Sequence, residues 1–109
     1  MSIDHFARAK QAWPLLVHRA KSGGSPFTYG ELCALLGLHH RSASWFLGVI
    51  QDYCRRHDLP PLQAMAVNKK TGLPGYGYVG SPRTPAEHMR ALARVRNENW
   101  ASKAPNFRT

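Results

Sequence analysis

Acidic residues are scarce. Six Asp+Glu stand against fifteen Lys+Arg, giving a formal charge of +9 over 109 residues. With Glu31 and Glu87 placed as helix caps, few carboxylates remain for paired acid–base chemistry, and no Ser–His–acid or phosphate-cradling glycine pattern stands out. No catalytic residue and no cofactor is expected. Apolar runs are short, none approaching the ~20 residues of a bilayer span, so no membrane partner is expected. Met1-Ser2-Ile3-Asp4-His5 carries an early acid and no apolar segment, which does not read as a secretory signal. Cysteine is limited to Cys33 and Cys54, too few for a disulfide framework, and the expected compartment is a reducing cytoplasm. Cys54-x-x-His57 is ligand-like. Cys33 falls in a helix interior and His39 and His40 are irregularly spaced, so no metal is expected. What remains is ordinary globular composition, 43% hydrophobic and 19% charged, with a cationic excess that favours polyanions.

The chain supports one small domain. Ile3, Phe6, Trp13, Leu16 and Ala20 recur at helical spacing in a first helix reaching about Lys21, capped by Ser2 or Asp4. Pro14 predicts a kink, or two abutting helices. Ser22-Gly23-Gly24-Ser25-Pro26 ends that segment. Thr28-x-x-Glu31 is a capping box opening a short helix with Leu32, Leu35 and Leu36 as its stripe, and Gly37 closes it in a left-handed conformation. A third helix starts near His39–Arg41. Its apolar face is Ala43, Phe46, Leu47, Ile50, Tyr53 and Cys54, and it stops before Asp58-Leu59-Pro60-Pro61. Residues 62–67 and 75–79 read as two short strands joined through Asn68-Lys69-Lys70-Thr71-Gly72. Thr84-Pro85-Ala86-Glu87 opens a last helix with Met89, Leu92, Val95 and Trp100 as its stripe and an Arg94–Glu98 pair on its surface.

Helix, short helix, tight turn, longer helix, hairpin is the order of a winged helix-turn-helix. The expected fold is mainly α with a small β-hairpin and extra N- and C-terminal helices. Residues 1–103 form the domain and 104–109 a flexible basic tail. In such a fold the third helix presents its leading residues to the major groove while a basic wing touches the flanking backbone.

Thr28-Tyr29-Gly30-Glu31-Leu32, Gly37, Leu59-Pro60 and Val67…Gly72…Gly75-Tyr76-Gly77-Tyr78 resemble the C-terminal domain of alkylguanine-DNA alkyltransferases and alkyltransferase-like proteins over about residues 26–80. The resemblance implies a winged helix-turn-helix that binds duplex DNA through the minor groove. The family's reactive Pro-Cys-His-Arg-Val segment is missing: Gln63 falls at the acceptor cysteine, with Ala64 and Met65 in place of histidine and arginine. An amide is no nucleophile, so the resemblance implies fold and DNA binding without alkyl transfer. The family's recognition-helix arginine, which fills the space of a displaced base, falls on Ala43 or Trp45.

The candidate interface is His39, His40, Arg41, Ser42, Ser44 and Trp45 at the head of the third helix, Lys69 and Lys70 on the wing, and Arg90 and Arg94 on the last helix. Trp45 has two readings, touching nucleic acid or packing on the first helix or a partner protein. The expected function is a small non-catalytic nucleic-acid-binding protein, chiefly for double-stranded DNA. It would be a regulator or accessory factor of a bacterium, phage or mobile element, acting as monomer or homodimer. The alternative is a protein-binding module on the same scaffold, such as a phage-encoded inhibitor or toxin-neutralising partner. It would face an acidic protein and use Trp45, Trp100 and Phe107 as anchors.

Overall fold

The computed structural model describes residues 4–74 and 84–108. Helix α1 spans His5–Lys21, and the Asp4 carboxylate caps it by accepting from the Ala7 amide at 3.0 Å. Its inward stripe is Ala9, Ala12, Trp13, Leu16, Val17 and Ala20. The helix runs through Pro14 as one element, so the two abutting helices expected as one outcome there are not formed. Pro14 faces outward, and the buried stripe continues on both sides of it against α3 (Ala43–Arg56), the neighbour α1 contacts most. Continuous burial of several large side chains outweighs the ~3 kcal/mol that an interior proline costs.

Strand β1 (Phe27–Thr28) leads directly into α2 (Tyr29–Leu36). The capping box is complete: Thr28 Oγ1 accepts from the Glu31 amide at 3.1 Å, and Glu31 Oε1 accepts from the Thr28 amide at 3.0 Å. At the other end Gly37 adopts φ 71°, and the Leu38 amide donates back to the Cys33 carbonyl at 2.8 Å, closing the helix. A 3-10 turn, His40–Ser42, then feeds α3, whose start is therefore a tighter coil than a plain helix. Phe46, Leu47, Ile50 and Cys54 are buried along α3, as is Gln51. Asp58 in the left-handed region ends the helix, with the Leu59 amide donating to the Cys54 carbonyl at 2.8 Å.

Residues 62–67 depart from the expected strand. Leu62–Met65 form a wholly buried 3-10 turn, and Ala66–Val67 alone make strand β2. Ala and Met are poor strand formers, which fits the shorter strand. β2 pairs in parallel with β1, Phe27 opposite Ala66 and Thr28 opposite Val67, with α2 and α3 forming the crossover. After β2 the chain turns back. The Asn68 amide donates to the Leu73 carbonyl at 2.9 Å, Asn68 Oδ1 accepts from the Lys70 amide at 2.8 Å, and Gly72 takes φ 69°. The partner strand expected at 75–79 lies outside the described residues, so the sheet seen is the parallel pair.

Helix α4 spans Pro85–Asn97, and Thr84 Oγ1 accepts from the Glu87 amide at 3.2 Å. Its buried residues are His88, Leu92 and Val95, while Met89, expected inside, is 71% exposed. His88 Nε2 is 3.0 Å from the Ala64 carbonyl, so α4 docks through this bond onto the buried 3-10 turn. Glu98 takes extended backbone just past the helix, and the expected Arg94–Glu98 ion pair is not formed among the described residues.

Residues 98–108 pack against the domain, including the stretch from 104 onward expected as a free tail. Phe107 is 1% exposed and meets Trp13 and Tyr53 edge-on, at 5.7 and 5.5 Å between ring centroids. Arg56 Nη2 donates to the Phe107 carbonyl at 2.7 Å, and the Arg108 guanidinium lies over the Phe6 ring. Trp100 Nε1 donates to the Val95 carbonyl and Trp13 Nε1 to the Ala101 carbonyl, so both indoles are buried with their polar atoms paired.

Candidate nucleic-acid interface

The head of α3 is held out by its neighbours. His39 caps the 3-10 turn, its Nδ1 accepting from the Arg41 amide at 3.2 Å, and its ring lies 4.2 Å from that of His40. The Cys33 thiol donates to the His40 carbonyl at 3.8 Å, tying the turn to α2. Below, Ala43, Phe46 and Leu47 are buried. His39, His40, Arg41, Ser44 and Trp45 are exposed and Ser42 is half-buried. The Arg41 guanidinium makes no hydrogen bond or ion pair among the described residues.

Trp45 packs on the first helix without being covered by it. It stacks on His5 of α1, centroids 5.3 Å apart and planes 14° from parallel, yet it stays 63% exposed. His5 therefore belongs to this surface although nothing in the sequence marked it, because the contact spans forty residues of chain. Arg8 is the second omission. Burial raises the Cys33 thiol, and the Ala43 amide and the Arg8 charge oppose that rise, so a further guanidinium acts near the turn.

Lys69 and Lys70 are exposed on the turn after β2. The β1–β2 pairing carries this turn to the start of α2, where the Lys69 charge acts on Glu31. The Glu31 carboxyl is held below its ordinary value mainly by the Thr28 amide, then by the Thr28 hydroxyl, with Arg19 and Lys69 adding to it. The two cationic groups thus sit near opposite ends of α2, Lys69–Lys70 by its start and Arg41 on the 3-10 turn after its end. Arg90 and Arg94 are exposed on α4. Arg19 and Arg96 are committed to structure, donating to the Ser25 and Gly24 carbonyls at 3.0 Å each.

The remaining chemistry-bearing residues are enclosed. Gln63 is 7% exposed, and its Oε1 has no hydrogen-bond partner among the described residues. Burial pushes the Cys54 thiol up to about 11 and raises Cys33 as well, so both stay protonated at neutral pH. Among the described residues no three His, Cys, Asp or Glu side chains gather as a metal site, and no helix is long and apolar enough to cross a membrane. No protein-family model, curated protein or solved structure matches the chain.

Proposed function

We propose that this chain is a winged helix-turn-helix protein that binds double-stranded DNA without catalysis, as a regulator or accessory factor of a bacterium, phage or mobile element. The observation that carries the reading is the head of α3, an exposed helix start with an uncommitted guanidinium on Arg41 and no carboxylate in its first two turns. The first acid on α3, Asp52, is paired with Arg56 at 2.9 Å. Lys69 and Lys70, exposed on the turn after β2, suit the flanking phosphates. The resemblance to alkyltransferase-like domains supports the DNA-binding part. Gln63 in place of the acceptor cysteine argues against alkyl transfer.

The alternative of a protein-binding module loses two of its three anchors. Trp100 is 4% exposed and Phe107 is 1% exposed, and both serve the core.

Fluorescence anisotropy with labelled mixed-sequence duplexes tests the reading. If Arg41, Lys69, Lys70, Arg90 and Arg94 each cover a phosphate, log K falls against log salt with a slope of roughly −4 to −5. Arg41→Glu weakens binding most, and the double substitution of Lys69 and Lys70 by Glu makes the slope shallower. Absence of binding at about 100 μM protein in about 50 mM salt defeats the proposal.

A further inference from the structure

We infer that Trp45, backed by His5, is a stacking platform for an unpaired nucleobase, so that the preferred ligand is nucleic acid carrying an accessible base. The inference rests on the nucleic-acid reading above and adds to it which form of nucleic acid this surface selects.

The fold treats its three tryptophans differently. Trp13 and Trp100 are 3% and 4% exposed with their Nε1 atoms hydrogen-bonded, whereas Trp45 is 63% exposed. Trp45 is nevertheless held. The near-parallel His5 ring supports one face of the indole and restricts its rotamers, leaving the open face ready for a second flat ring at little further loss of side-chain freedom. The surroundings select an anionic partner with flat groups. Arg41 lies one turn before Trp45, and His39 and His40 precede it. The adjacent carboxylate, Asp4, is engaged by the Ala7 amide and lies 4.0 Å from the Arg108 guanidinium. Within an intact duplex the faces of the bases are already stacked on one another and only their edges face the grooves. A ring that binds by its face needs a base that has left the stack or never entered it.

The test compares an intact duplex, the same duplex with a single-nucleotide bulge, and a single-stranded oligonucleotide. Wild type, Trp45→Ala, Trp45→Phe, His5→Ala and Arg41→Glu are each checked for folding by circular dichroism. Trp45 is the water-exposed indole, so quenching of tryptophan fluorescence reports on it directly. The expected result is tighter binding of the bulged and single-stranded ligands than of the duplex, with quenching. Trp45→Ala removes about 5- to 150-fold of affinity for the ligands with an unpaired base, Trp45→Phe keeps most of it, and duplex binding barely changes. His5→Ala gives a smaller loss of the same selectivity. If Arg41→Glu abolishes binding while Trp45→Ala binds all three ligands like wild type, the platform is wrong and the nucleic-acid reading stands. If the wild type binds none of the three, both fail.

Discussion

Glu31 serves the start of α2 twice, as partner of the Thr28 amide and as a counter-charge near Arg19 and Lys69. Its carboxyl is held below the ordinary 4.5, first by the Thr28 amide. Between the folded and unfolded values the folded chain binds fewer protons, so the stabilisation from Glu31 is complete above pH 4.5 and disappears as pH falls through the lower folded value. Urea denaturation of Glu31→Gln at a series of pH values will show a flatter profile through that acid window than the wild type, with the two curves converging at the acid end. Thr28→Ala removes the reciprocal hydroxyl and costs about 1 kcal/mol at neutral pH in the same assay. This pair was legible because a capping box is local, with both bonds closing within four residues. Gly37 was legible for the same reason. The His5–Trp45 stack was not, since it depends on how α1 crosses α3 and leaves no trace in the spacing of either helix.

For whole elements, helical periodicity located α1 through α4, but it put Leu35 of α2 and Met89 of α4 inside, where both are exposed. Met89, Leu92, Val95 and His88, Leu92, Val95 both fit one helical face, and hydropathy favours methionine. The structure takes histidine, because the 3-10 turn beneath α4 presents the Ala64 carbonyl to that face. Replacing His88 by leucine keeps comparable bulk and strands that carbonyl in a buried site, costing about 1–3 kcal/mol in urea denaturation. Met89→Gln stays within about 0.5 kcal/mol, because the residue is exposed. The reverse ranking is what a methionine-inward helix demands. The parallel β1–β2 pair escaped sequence reading on other grounds. Two residues are too few to show alternation, and their partners lie thirty-nine positions apart. That pair nevertheless brings the Lys69–Lys70 turn to the start of α2. The candidate cations could be picked out from charge and local turn signals, but the approach of the Lys69–Lys70 turn to α2 could not.

Across the whole molecule, the carboxy-terminal stretch shows how much one residue decides in a chain this small. Residues 101–109 are mostly small or polar, and averaged composition reads them as a tail. Phe107 overrides that average. It enters the aromatic cluster of Trp13, Tyr53 and Trp100, where rings meet edge-to-face, and its carbonyl is held by Arg56 from α3. Trp13 is on α1 and Tyr53 on α3, so Phe107 closes over the junction of those two helices. A phenylalanine this buried leaves a large void when truncated. Phe107→Ala is expected to cost about 3–5 kcal/mol, a large share of the ~5–15 kcal/mol that holds a typical domain folded. Thermal unfolding followed by circular dichroism should fall by more than about 10 °C, given roughly 4–8 °C per kcal/mol at this size. Deleting residues 104–109 should reproduce that fall. Arg108→Ala, which loses an exposed ring contact and a 4.0 Å ion pair, should shift it far less. An unchanged midpoint after the deletion would return these residues to the status of a free tail, and the α1–α3 junction would then have to be stable without its lid.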